Sequence, residues 1–197
     1  MTKQMVMAGL LGGVAMYAWS TVAHMVTPLG DAGIKQVMNE EVLLGVTKVA
    51  TENQPGLYMF PNMDLPAGPP TYKRQANMSE YAQKLALNPS GLIIYEPPGS
   101  QPMMASQLVI EFLTEMAEAF LAIFFLTQTR IASFGGRVWF ITLVGVLAAL
   151  TTNIPYWNWY HFPVDYTAAL MFTEIVGFLA AGIVAAVVLN RRMPAKK

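Results

Sequence analysis

Four stretches of this chain are long and apolar enough to cross a lipid bilayer, and they constrain its fold more than any other feature. They cover about 4–27, 110–129, 138–154 and 167–189. A helix needs about 20 mostly apolar residues to span the hydrocarbon core. Only 12% of the residues are charged, against about 25% in soluble domains. The sequence therefore predicts an all-α integral membrane protein with four transmembrane helices.

The positions of the basic residues predict which way the helices run. Lys3, Arg130, Arg137 and the tail 191–197 fall on one side of the membrane, whereas the short segment 155–166 contains no Lys or Arg. Short cytoplasmic segments are enriched in these residues. We therefore predict a multi-pass protein of the bacterial inner membrane with both termini in the cytoplasm and a basic cytoplasmic tail over 191–197.

Residues 28–103 form a long insertion between the first two spans, and the orientation predicts that it is periplasmic. Turn residues bound two short segments that favour strands and could pair, and Asn and Ser at helix starts favour two short helices. The helices are expected from Asn39 to Thr51 and from Ser79 to Leu87, and the strands over 56–61 and 91–97. We predict a small α+β periplasmic insertion, followed after the break at Pro102 by transmembrane helices 2–4 within 104–190.

The chain lacks the residues that several classes of functional protein need. The chain contains no cysteine and its formal net charge is zero. Disulfides and Cys-ligated metal sites are therefore excluded, and nucleic-acid binding is not indicated. The insertion carries no catalytic triad, metal-ligand spacing or phosphate-binding loop. We expect a non-enzymatic protein, and the sequence specifies no cofactor.

The second span carries three glutamates, Glu111, Glu115 and Glu118. Their spacing of i, i+4 and i+7 places them on one narrow stripe of a helix. A carboxylate that faces lipid costs about 3 kcal/mol near the bilayer centre, so the stripe must face protein, water, a proton or a cation. The outer ends of the other spans contribute further polar candidates, namely His24, Asn153 and Glu174. These six residues predict an outward-facing polar pocket above an apolar inner half.

Three interpretations of this pocket stay open from the sequence. The carboxylates could only form hydrogen bonds to neighbouring helices, which is common in membrane bundles. They could bind a proton or a cation. They could also form a carboxylate–histidine metal site with His24 or His161, although Glu115-x-x-Glu118 is not the Glu-x-x-His pair of di-iron bundles.

An aromatic segment lies near the predicted outer boundary of the membrane. Its candidate residues are Trp157, Trp159, Tyr160, His161 and Phe162. Aromatic belts at membrane interfaces explain such a segment without any ligand. The alternative is an aromatic rim that binds a lipid, a quinone or a pigment, with His161 as its polar contact.

Four short motifs carry a resemblance to known sequences. They are Trp19-Ser20-x-x-x-His24-Met25, Pro28-Leu29-Gly30, Gly56-Leu57-Tyr58-x-Phe60-Pro61 and Asn158-Trp159-Tyr160-x-Phe162-Pro163. With them the chain resembles a group of small bacterial inner-membrane proteins of uncharacterised function. The resemblance covers nearly the whole chain. It implies a bacterial origin and the same four-span plan, and it brings no catalytic residues.

Together these features favour an accessory or assembly subunit of a larger bacterial inner-membrane complex, respiratory or photosynthetic. The lipid bilayer and other integral membrane subunits are the expected partners. Small-residue patterns support close helix contacts within the chain or with such a subunit; they are Gly9-x-x-x-Gly13 and Gly177-x-x-x-Ala181-x-x-x-Ala185. One alternative is a membrane protein that binds a proton, cation or metal in the outward-facing carboxylate pocket. A third is a lipid- or quinone-binding membrane protein.

Overall fold

The chain folds into two compact units in a computed structural model that describes residues 3–62, 78–99, 101 and 105–190. One unit combines 1–35 with 103–197, and the other is 36–102. The elements in chain order are α1 (Lys3–Met25), α2 (Glu40–Ala50), β1 (Gly56–Phe60), α3 (Met78–Leu87), β2 (Gly91–Tyr95), α4 (Ala105–Thr127), α5 (Phe134–Tyr160) and α6 (Val164–Asn190). The predicted basic tail over 191–197 and the predicted break at Pro102 lie outside the described residues.

The predicted mostly helical fold with long apolar helices is confirmed. In the described ranges, three helices are long and apolar enough to cross a membrane: α1, α5 and α6, with mean hydropathies of 1.5, 1.7 and 2.3. The fourth long helix, α4, has 23 residues and carries the three glutamates. These four helices form the first unit.

Within this unit α1 lies between α4 and α6, and α5 packs against α6. Glycines on α1 make these close approaches possible because they add no side chain at the contact. A Cβ at Gly13 would meet Met116 of α4, and a Cβ at Gly12 would lie 3.6 Å from the Cβ of Ala181 on α6. The small-residue faces that the sequence left unassigned are therefore used inside the chain.

The apolar core of this unit gathers at one end of the helices. Its largest fully buried side chains are Ile123, Ile141 and Phe178. Fully buried alanines of α4 and α6, including Ala119 and Ala181, fill the space between them. At the same end, the Arg137 guanidinium donates to Asn190 Oδ1 at 2.9 Å and joins the start of α5 to the end of α6. Close packing of apolar side chains thus fills the interior of this half of the bundle.

The sequence prediction for the third span is wrong at its far end. The span was expected to stop at residue 154, before a loop over 155–166, but α5 continues through Pro155 to Tyr160. Proline removes one backbone donor, and packing against neighbouring helices offsets this loss in an apolar helix. Ring contacts of Tyr156 with Tyr160 and Phe162, at 5.8 and 5.5 Å between centroids, hold the last turn together.

Helix α5 ends at His161, which adopts the left-handed conformation with φ 56°. The backbone amides of His161 and Phe162 both donate to the carbonyl of Tyr156. This is the usual closure of a helix C-terminus, with histidine in a position that glycine more often occupies. The local role of His161 is therefore to end the helix.

The second unit contains the two predicted strands, and they pair antiparallel. In β1 and β2, Gly56 lies opposite Tyr95 and Phe60 lies opposite Gly91. The Tyr95 hydroxyl donates to Asn53 Oδ1 at 2.8 Å, so β2 is joined to the turn that follows α2. Two strands alone are marginally stable, and this hydrogen bond adds a contact outside the sheet.

The two short helices of this unit form close to their predicted limits. Asn39 is the N-cap residue of α2, but its side chain makes no capping hydrogen bond. Its ψ of 68° lies outside the extended region in which a cap side chain reaches the free amides. The expected capping interaction is therefore wrong although the helix is present. Helix α3 begins at Met78, one residue before the expected Ser79.

Candidate functional site: a carboxylate cavity

A cavity of about 310 Å³ lies among the four long helices, at the end opposite the apolar core. We call it the carboxylate cavity. It is lined by Met16, Trp19, Ser20, His24, Glu111, Thr114, Glu115, Glu118, Thr152, Asn153, Leu170, Thr173, Glu174 and Gly177. The structure therefore places all six residues of the sequence-predicted polar pocket around one space. Each of the four helices contributes to its wall.

Glu115 is the most buried carboxylate of this cavity, with 7% of its surface exposed. Ser20 of α1 lines the same cavity. The Oε2 atom of Glu115 is fully buried and has no hydrogen-bond partner. A buried carboxylate oxygen without a partner is costly, by several kcal/mol when the group is ionised. One residue of the cavity lining thus contains a buried acceptor without a partner.

Glu174 faces the same cavity from α6, and its position is fixed by Asn153 of α5. The Asn153 side-chain amide donates to Glu174 Oε2 at 3.2 Å and to the Ala149 carbonyl at 3.1 Å. Asn153 is itself 7% exposed. These two bonds use both amide hydrogens of Asn153, so the amide orients the carboxylate and has no hydrogen left to donate to a ligand.

The two remaining acids of the cavity, Glu111 and Glu118, both lie on α4. Glu111 and Glu118 are separated by roughly 10 Å at 1.5 Å per residue, with Glu118 partly buried and Glu111 exposed. His24 lies at the exposed end of α1. No Lys or Arg is found among the residues that line the cavity. Four carboxylates therefore share a space in which the described side chains provide no fixed positive charge.

Trp19 forms part of the opposite wall. Its indole Nε1 donates to the Thr173 carbonyl at 2.9 Å, which joins α1 to α6. Its ring contacts Phe172 edge-to-face, with centroids 6.3 Å apart. Both contacts hold the indole in one orientation. Trp19, together with Met16 and Leu170, gives the cavity an apolar side.

The geometry bears directly on the metal-site interpretation. Among the described residues, no group of three His, Asp or Glu side chains is close enough to hold a metal ion. His161 does not line the carboxylate cavity, and neither do Trp157, Trp159, Tyr160 or Phe162. The aromatic rim is therefore separate from the cavity, and its expected lipid or quinone role stays a prediction.

No protein-family model matches the chain, and neither the curated proteins nor the solved structures give a significant match. The resemblance to small bacterial inner-membrane proteins is thus an expectation from the four motifs alone. Function has to be inferred from the carboxylate cavity.

Several residues of the cavity did not appear among the sequence-predicted site residues. Met16, Trp19, Leu170 and Thr173 are apolar or weakly polar, so composition does not separate them from ordinary core residues. One signal was present on α1. Met16, Trp19, Ser20 and His24 follow the i, i+3, i+4 spacing of a single helix face. Placing that face of α1 against the glutamate stripe of α4 would have predicted these residues as part of the cavity lining.

Proposed function

We propose that this protein is a four-span membrane protein that binds a cation in the carboxylate cavity. The observation that carries the proposal is Glu115, which lines the cavity and whose buried Oε2 atom has no hydrogen-bond partner. A cation would satisfy this acceptor and offset the repulsion among the surrounding carboxylates.

The alternative, in which the carboxylates only form hydrogen bonds to neighbouring helices, explains the contacts of Glu174 but not those of Glu115. Glu174 has a partner in Asn153, as expected of a residue that joins two helices. At Glu115, by contrast, the buried Oε2 atom has no hydrogen-bond partner. A residue selected only for packing would not be an acid at this buried position, because an apolar side chain of similar volume is at least as stable there.

The structural observations give less support to the accessory-subunit hypothesis. One of its grounds was the small-residue faces, and those of α1 and α6 are occupied by neighbouring helices of the same chain. The hypothesis stays a prediction, as does the lipid- or quinone-binding alternative.

We further propose that α4 is the fourth span, with the termini in the cytoplasm of a bacterium and 28–103 in the periplasm. Its length of 23 residues is sufficient, and it exposes large apolar side chains, namely Leu113, Leu121, Phe124 and Phe125. The distribution of basic residues supports the orientation.

Single cysteines test this topology, because the chain contains none of its own. Ser90→Cys lies in the insertion and Ala132→Cys lies between α4 and α5, and both positions are exposed. In intact cells with a permeabilised outer membrane, we expect a membrane-impermeant maleimide to label Ser90→Cys at once and Ala132→Cys only after lysis. Equal labelling of both before lysis would contradict the four-span arrangement.

Thermal unfolding in lipid nanodiscs tests cation binding. We expect at least one of Na⁺, K⁺, Mg²⁺, Ca²⁺, methylammonium and phenethylammonium, compared at constant ionic strength, to raise the melting temperature saturably. A ligand at 100 times its Kd stabilises the folded state by about 2.7 kcal/mol, which is several degrees. The Glu115→Gln variant should lose this response, while Glu41→Gln, which removes an exposed acid of α2, should keep it.

Two results would contradict the proposal. One is the absence of a specific response to every cation in the wild-type protein. The other is an equal response in Glu115→Gln, because stabilisation would then not depend on the cavity.

A further inference from the structure

We propose that the carboxylate cavity selects an organic amine, bound as an ammonium ion with a compact apolar body, over a bare metal ion. This inference rests on the proposed cation-binding function and names the class of its ligand. It is carried by the size of the cavity, the separation of its acids and the chemistry of its two sides.

The acids are too dispersed for a metal ion. Calcium takes six to eight oxygen ligands at about 2.3–2.6 Å, and magnesium requires near-octahedral ligands at about 2.0–2.1 Å. The glutamates on α4 extend over roughly 10 Å of helix, and Glu174 approaches from a different helix. No metal-holding group of three such side chains occurs in the part of the chain that is described. Carboxylates that are this far apart suit a ligand with one charged group, because that group has to contact only one of them.

The volume also favours a molecule over an ion. At about 310 Å³, the cavity has the volume of roughly ten water molecules. It falls at the lower end of the range of about 300–1,000 Å³ that is typical of small-molecule sites. A bare ion would leave most of this space to water, whereas a small amine would fill it.

The lining of the cavity matches the two ends of such a ligand. Glu115 lines the cavity and has a buried oxygen without a partner. Met16, which is 3% exposed, and the Trp19 indole, which donates to the Thr173 carbonyl, supply apolar lining. Tryptophan is the best aromatic partner for an ammonium group and also packs against apolar carbon. The ammonium would therefore lie at Glu115, with the apolar body against Met16, Trp19 and Leu170.

A substitution at Gly177 can change the volume of the cavity without changing the charge of its lining. It lines the cavity from α6, and a Cβ built there would lie 3.7 Å from Trp19 Cδ1 and 3.9 Å from Met16 Cε. These are ordinary van der Waals separations. Gly177→Ala should therefore fold normally while it narrows the apolar side of the cavity.

The test compares the affinities of methylammonium, phenethylammonium and neutral 2-phenylethanol for the protein in nanodiscs, with Na⁺, Mg²⁺ and Ca²⁺ alongside. We expect phenethylammonium to bind at least about tenfold more tightly than methylammonium, because its added carbon is buried. We expect 2-phenylethanol not to compete with it. Gly177→Ala should weaken the binding of phenethylammonium and leave the affinity for methylammonium unchanged. The melting temperature of the unliganded variant checks that it folds.

The outcomes separate the two proposals. Equal affinity for the two amines, or tight binding of a metal ion alone, would overturn the amine inference and leave the cation-binding function in place. Competition by 2-phenylethanol at similar affinity would overturn the inference too, because the charge would then be irrelevant. Failure of every cation to bind would overturn both proposals.

Discussion

Glu115→Gln is expected to weaken cation binding by about 100-fold or more. Removing one partner of a buried charge pair costs about 2–5 kcal/mol, and a 100-fold change in affinity corresponds to about 2.7 kcal/mol. Glutamine keeps the length and shape of the side chain. The measurement is the affinity of the wild-type and variant proteins for the same cation, with Glu41→Gln as the charge-matched control.

The same substitution is expected to stabilise the protein without ligand. The neutral amide is less costly to bury than a carboxylate whose Oε2 has no partner. A gain of about 1 kcal/mol would raise the melting temperature by roughly 2–4 °C for a chain of this length. A residue that improves binding at the expense of stability is typical of a functional site. A marked loss of stability would instead show that Glu115 joins helices and that the structural interpretation is correct.

Gly13→Val is expected to destabilise the helical unit by about 3 kcal/mol. A Cβ at this position would lie 2.9 Å from the Cα of Met116, which is backbone and cannot move without shifting α4. Overpacking of this kind costs about 1–3 kcal/mol, and more where backbone is involved. The melting temperature should fall by several degrees, as measured in nanodiscs, and cation binding should weaken because α1 and α4 both line the cavity.

Gly135 provides the matched control for this substitution. It begins the first turn of α5, and a Cβ there would meet nothing within 4 Å. Gly135→Val should leave the melting temperature within about 1 °C, as expected for substitutions away from packed contacts. Equal losses in the two variants would mean that valine itself, and not the α1–α4 contact, is responsible.

The long helices and the acidic stripe could be predicted because local sequence determines them. Apolar length defines α1, α5 and α6, and the spacing of Glu111, Glu115 and Glu118 fixes a common face whatever the neighbours are. The strands β1 and β2 were predictable for a similar reason, since turn residues bound them on both sides. These predictions needed no knowledge of tertiary contacts.

The errors and omissions depend on tertiary contacts. Pro155 was expected to end a helix, yet ring contacts of Tyr156 with Tyr160 and Phe162 carry α5 beyond it. Trp19 was absent from the candidate residues because its residue type does not separate it from ordinary core residues, whereas its bond to Thr173 places it beside α6. Likewise, spacing cannot show that Glu174 has a donor in Asn153 while Glu115 has an unpartnered oxygen. That difference between two acids is the basis of the proposed function.

Binding by the wild-type protein tests the central claim most directly. The measurement is a calorimetric titration in nanodiscs, at constant ionic strength, with whichever cation raises the melting temperature most, and Glu115→Gln is titrated in parallel. We predict saturable binding at one site per chain in the wild-type protein and affinity lower by about 100-fold in the variant. Equal affinity in the two proteins, or no saturable binding by the wild type, would contradict a cation site at Glu115.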